Sequence, residues 1–200
     1  MDFLLKTLSD KKEREGRVDT FFKNEISVPV DSSDQINIDL EIGCGHGHWL
    51  NAYSQNNRGS FCIGIDLISK RIRKAQTKKD RYQNNNLFFL KADAIDFISY
   101  KPNNILFNNI FIFFPDPWPK RKHHRRRLIQ FSFLNLLKLH TNRNSKIFFR
   151  TDHQDYFDWT KSHIELSKDW KLNEFEWPLE HGSYFQELLP DYSSLSAIRV

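Results

Sequence analysis

Leu40-Glu41-Ile42-Gly43-Cys44-Gly45-His46-Gly47 is the stretch on which the fold turns. An apolar run beginning at Ile36 reaches Gly43, glycines recur at 43, 45 and 47, and the residues from His48 to Gln55 then read as a helix. Glycines at a strand-to-helix turn let backbone approach a ligand closely, because no Cβ intervenes and positive φ costs little. Nucleotide-like ligands bind such turns. The spacing is G-x-G-x-G with Glu41 two residues ahead, not the G-x-G-x-x-G of dinucleotide sites, which argues against a nicotinamide-dependent oxidoreductase.

Outward from that loop, short apolar runs alternate with longer mixed segments. Ser60 to Asp66 is a second strand, followed by a charged helix for which Ser69 is the expected N-cap. Further strands end at Asp93 and Phe114, a helix is expected from about Arg127 to Leu139, and Lys146 to Asp152 is a fifth strand. A helix from about Gln154 to Ser167 leads to two last runs, Lys171 to Trp177 and Leu195 to Val200, which suit an antiparallel pair at a sheet edge. The pattern is α/β: an open, mostly parallel seven-stranded sheet with helices on both faces and an antiparallel edge at the C-terminus. Residues 1–30, polar apart from two small apolar clusters, are taken as an N-terminal extension, and residues 31–200 as the single domain.

Three acids, Glu41, Asp66 and Asp93, fall at or near strand ends, on the edge of the sheet where open α/β folds bind ligands. Any one of them could be a helix cap or a turn residue; together they suit a ligand carrying an ammonium, hydroxyls and an exocyclic amine, all hydrogen-bond donors. After the fourth strand comes Phe114-Pro115-Asp116-Pro117-Trp118-Pro119, whose prolines stiffen the backbone around Asp116. The octet Lys120-Arg121-Lys122-His123-His124-Arg125-Arg126-Arg127 follows, with six permanent cations and no acid, more than the chain's whole net charge of +5. A solvated surface run and a nucleic-acid contact compete for that octet, and its place beside a ligand-binding edge favours the second.

No apolar run is long enough to span a membrane, the N-terminus lacks a signal-peptide pattern, and Cys44 and Cys62 have neither metal-ligand nor disulfide-framework spacing. A cytoplasmic protein with reduced thiols, no membrane contact and no metal is expected, with a monomer as the default.

Leu40 to Gly47, with the strand-end acids, resembles the class I S-adenosylmethionine-dependent methyltransferases. Pro115 to Lys120 with the basic run resembles the bacterial tRNA (guanine-N7)-methyltransferase family, over the stretch from the glycine loop to the chain's end. The resemblance implies a Rossmann-like fold, S-adenosylmethionine as cofactor, tRNA as partner, and methyl transfer to guanosine N7 at variable-loop position 46. It places Glu41, Gly43, Gly45, Asp66, Asp93 and Asp116 at the cofactor, with Glu41 near its methionine end, Asp66 on the ribose and Asp93 on the adenine amine. It makes Asp116 catalytic, and assigns Lys120, Asp152 and the Ser183-Tyr184-Phe185-Gln186 segment to the substrate. Lys122, His123, His124, Arg125, Arg126 and Arg127 would then hold tRNA phosphates. Ser183 and Gln186 stand where the family has Thr and Glu, and Asp66 stands where Glu is usual. Loss of the Glu charge leaves a non-catalytic RNA-binding protein on a methyltransferase scaffold as the alternative.

Overall fold

The computed structural model describes residues 2–26, 34–179 and 191–200, with side chains from Asp10 onward. Helix α1 (Asp2–Asn24) precedes β1 (Ile36–Ile42), α2 (His48–Asn56), β2 (Phe61–Asp66), α3 (Ser69–Tyr82), β3 (Leu87–Lys91), α4 (Ala94–Tyr100) and β4 (Ile105–Phe113). A short 3-10 helix (Arg121–Arg126), α5 (Phe131–Leu139), β5 (Thr141–Thr151), α6 (Gln154–Glu165), β6 (Trp170–Asn173) and β7 (Ser193–Arg199) complete the order. The seven strands form one sheet in the order β3-β2-β1-β4-β5-β7-β6. The first five strands pair in parallel, and β7 runs antiparallel to both β5 and β6, as the expected C-terminal edge requires.

Burial on both faces explains why these strands read as nearly unbroken apolar runs. On β4, Ile110 and Ile112 face one layer with Phe97 of α4, Phe133 of α5 and Tyr156 of α6. Phe111 and Phe113 face the other, with Trp49 and Tyr53 of α2 and Ala75 of α3. Buried Asp39 links β1, α2 and β4, accepting from the Tyr53 hydroxyl at 2.8 Å and the Asn109 side-chain amide at 2.8 Å.

Three local expectations differ from the structure. The N-terminal segment joins the core: Val18, Phe21, Phe22 and Ile26 are buried, and the Phe22 ring stacks on Phe97 at 5.7 Å. Ser69 is the first helical residue of α3 rather than its cap, which is Ile68 and brings no side-chain cap; Asp66 Oδ1 accepts from Ile68 N at 2.8 Å and so fixes the turn just ahead of the helix. Helix α5 begins at Phe131, four residues after Arg127, because the preceding turn is 3-10 and ends where the Arg127 side chain goes inward.

Candidate active site

Parallel pairing puts the carboxyl ends of β1, β2, β3 and β4 on one edge, and the chain departs in opposite directions from β1 and β4, making a crevice. A cavity of about 350 Å³ opens there, lined among others by Gly43, Asp66, Arg71, Asp93, Phe113 and Asp116. The glycine loop forms one wall. Gly43, Gly45 and Gly47 all have positive φ, and the two ends of the loop differ in what they need. A Cβ on Gly47 would lie 2.6 Å from Phe89 Cζ and 2.9 Å from Ala75 Cβ, so packing excludes a side chain; a Cβ on Gly43 would meet nothing within 4 Å, and that space faces the cavity.

Glu41, two residues ahead of this loop, is 3% exposed, and among the described residues its Oε2 has no hydrogen-bond partner. Burial, and secondarily the Asp66 charge, push its pKa from 4.5 up to about 8. Two acids thus lie close enough to interact, and among the described residues the cation paired with them is Arg71, at 3.4 Å from Asp66. Of the two, it is Glu41 whose Oε2 lacks a donor among the described residues, and the ammonium of S-adenosylmethionine is a donor of the kind it would accept. Asp66 is itself well occupied: besides Ile68 N and Arg71, it accepts from Gly45 N at 3.1 Å, tying the first loop to the second. Asp93 caps α4, its Oδ1 accepting from Ile95 N at 2.8 Å and Asp96 N at 3.2 Å, while the residue also lines the cavity. Capping and ligand contact are compatible for a carboxylate with two oxygens. The residues present therefore fit the cofactor.

Across the cavity, Asp116 stands exposed between two strained residues, Phe114 at φ 50° and Trp118 at φ 45°. Left-handed backbone at bulky non-glycine residues costs roughly 1–3 kcal/mol each and persists only where the surroundings enforce it. Here Phe114 N donates to Arg150 O at 2.8 Å, and Arg127 Nε donates to Pro117 O at 2.9 Å.

Arg127 corrects the reading of the octet. It is 2% exposed, paired with the Asp155 carboxylate, and lies over the rings of Tyr156 and Trp159 at 5.0 and 5.2 Å, so it holds the turn around Asp116 against α6 and has no surface to offer a phosphate. Its neighbours divide. Arg121, Lys122, Arg125 and Arg126 are exposed, His123 and His124 half-buried, and Arg126 lies over Trp118 at 4.9 Å. Lys120, exposed, caps the 3-10 helix with its carbonyl, and Asp152 is exposed just past β5. Ser183, Tyr184, Phe185 and Gln186 lie outside the described residues. Sequence reasoning passed over Arg71 at the cavity wall and Arg150, buried on β5 with its guanidinium 3.8 Å from the Trp177 ring; one lies in the charged helix after β2 and the other in the fifth strand, and nothing local marks a cation as inward-facing.

Comparison with known proteins agrees with this geometry. The family model described as "Putative methyltransferase" matches residues 35–185. A tRNA (guanine-N(7)-)-methyltransferase of Prochlorococcus marinus subsp. pastoris is 36% identical over 153 residues, covering 74% of this chain and 71% of that protein. The chain belongs to the tRNA (guanine-N7)-methyltransferase family. A second member, from Lachnoclostridium phytofermentans, is 31% identical over 150 residues, 74% of this chain and 69% of that one. Among solved structures, an antibiotic-related methyltransferase superposes with a TM-score of 0.57 at 18% identity, over 89% of this chain and 93% of that one, which shows the shared class I methyltransferase fold. Among the described residues of this tRNA (guanine-N7)-methyltransferase family member, no helix is long and apolar enough to cross a membrane, and no group of three His, Cys, Asp or Glu side chains could hold a metal.

Proposed function

We propose that this chain transfers a methyl group from S-adenosylmethionine to N7 of a guanosine in tRNA, in the variable loop, and that it does so in the cytoplasm. The observation that carries the reading is the one cavity lined by Gly43, Asp66 and Asp93 and, across it, by Asp116, with exposed Lys122 and Arg125 close behind Asp116 in the chain. Bound there, the cofactor supplies an electrophilic methyl carbon on a sulfonium. Glu41 receives the ammonium beneath the glycine loop, Asp66 the ribose, and Asp93 the adenine amine through the oxygen not engaged in capping.

Guanine N7 offers an in-plane lone pair and loses no proton on methylation, so the chain needs no general base. Its task is alignment, in which a rigid turn holding one carboxylate at the acceptor serves well. Asp116 orients the purine and offsets the positive charge that develops on it. Lys120 and Asp152 contact the substrate, and the exposed cations of the octet position tRNA by its phosphates. The test is incubation with labelled S-adenosylmethionine and total tRNA followed by nucleoside analysis. Label in 7-methylguanosine is expected; tRNA binding with no cofactor binding and no 7-methylguanosine would replace this reading with that of an RNA-binding protein.

A further inference from the structure

Helix α3 carries seven cations, Lys70, Arg71, Arg73, Lys74, Lys78, Lys79 and Arg81, against one acid, Asp80. The octet and this helix together exceed the chain's net charge of +5, so the remainder of the molecule is net acidic and its positive charge is concentrated in two places.

Ordinary helix chemistry does not account for the second place. Cations in a last turn suit the helix dipole, which covers Lys79 and Arg81. Lys70, Arg71, Arg73 and Lys74 sit at the opposite, positive end, where the dipole disfavours them and no first-turn acid or side-chain cap compensates. Lys70, Lys74 and Lys78 also follow one another at spacings of four residues, and each such like-charge pair costs about 0.2–0.5 kcal/mol. Helix α1, with acids interspersed, pairs three of its cations: Arg14 with Asp96, Arg17 with Glu13 and Lys23 with Asp19. On α3 the only ion pair among the described residues is Arg71 with Asp66, leaving exposed Lys70, Arg73 and Lys74 unmatched. The crowding is felt nearby: burial and then Lys74, Lys78 and Arg71 hold the His46 pKa below its ordinary value.

Position supplies the rest. Helix α3 starts at the carboxyl end of β2, two strands from β4 in the sheet and so roughly 10 Å from where the catalytic turn begins. Ile68 and Arg71 line the cavity that Asp116 lines from the other side. A polyanion presenting one base to Asp116 from the octet side therefore has its backbone within reach of the first two turns of α3.

We propose that Lys70, Arg73 and Lys74 form a second phosphate-binding surface for the tRNA substrate, so that the RNA straddles the cofactor cleft and is held from both sides. This rests on the tRNA reading above, and the experiment separates the two. The variant Lys70→Gln/Arg73→Gln/Lys74→Gln removes three cations that touch neither cavity nor core. Against wild type, its affinity for full-length tRNA at physiological salt is expected to fall by at least tenfold, and the slope of log K against log salt to fall by roughly 2–3, with cofactor affinity and kcat at saturating tRNA unchanged. If wild type neither binds nor methylates tRNA, the tRNA reading fails. If wild type methylates tRNA and the variant keeps the same tRNA affinity and slope, the α3 surface is refuted; loss of binding to phosphatidylglycerol vesicles in that same variant would assign the patch to a membrane instead.

Discussion

Replacing Glu41 by Gln separates what the cofactor site costs from what it does. The Glu41 carboxyl ionises near pH 8 in the folded chain against an ordinary 4.5, because it is buried and faces Asp66. Below pH 4.5 it is protonated whether the chain is folded or not, and the wild type and Glu41→Gln should be about equally stable. Between pH 4.5 and 8 the folded form holds more protons than the unfolded form, so wild-type stability falls as pH rises, and above 8 the whole difference applies. At 1.36 kcal/mol per pH unit the ceiling is about 5 kcal/mol, which relaxation and water entry around an ionised carboxylate reduce. The neutral amide carries no such dependence. We expect Glu41→Gln without cofactor to melt at least ~4–8 °C above wild type at pH 8.5, for a gain of ~2 kcal/mol in a chain of this size, and to converge with it by pH 5. The same change should weaken S-adenosylmethionine binding by about 10- to 100-fold, since a charge-assisted bond to the ammonium is lost. Melting curves at four pH values and calorimetric titration with cofactor measure both. A pH-independent difference, or a variant less stable than wild type at pH 8.5, would refute the account of Glu41 as an uncompensated buried acid.

Three further predictions concern the turn around Asp116 and the octet. Asp116→Ala should reduce methyl transfer by at least ~100-fold while leaving Tm and cofactor binding within error, because the side chain is exposed and its role is at the acceptor; turnover within threefold of wild type would remove it from the mechanism. Lys122→Ala with Arg125→Ala should weaken tRNA binding and lower the salt slope by roughly 2, read by filter binding at several salt concentrations. Asp155→Asn strips the counter-ion from a fully buried guanidinium and should cost about 2–4 kcal/mol, seen as a lower denaturant midpoint together with a lower kcat, since Arg127 also holds Pro117.

Much of the frame was legible because each parallel strand is buried on both faces, so that Cys62 to Ile65 and Ile110 to Phe113 read as apolar runs, while in Ile38 to Ile42 the apolar residues alternate with two acids, Asp39 and Glu41, that are themselves buried. Ends were legible where glycine or proline ends them, at Gly43 and Pro115. The packing of α1 was not: Val18, Phe21 and Phe22 are a short apolar set whose partners, Phe88 and Phe97, lie about 70 residues away, and nothing local distinguishes them from an exposed cluster. The strand-end acids were legible as a set, but their division of labour was not. Asp93 caps α4 and Asp66 holds Ile68 N and Gly45 N, while both also line the cavity, and which oxygen does which depends on loop geometry.

The octet shows the same limit in one element. As a string of cations it offers no way to rank its members, whereas a 3-10 helix has three residues per turn, so residues three apart share a face. His124 and Arg127 fall on the rail turned toward Asp155 and Trp159, at 3.7 Å from the Asp155 carboxylate for His124, and are lost to solvent in that order. His123 and Arg126 fall on the rail against Trp118, at 5.9 and 4.9 Å. Lys122 and Arg125 are left on the third, facing outward. The turn thus uses one rail to brace the strained backbone around Asp116 and one to hold Trp118, and leaves the third to solvent and, on the reading proposed above, to RNA, which is why the Lys122 and Arg125 pair should change the salt dependence of binding while Asp155→Asn should change stability and turnover.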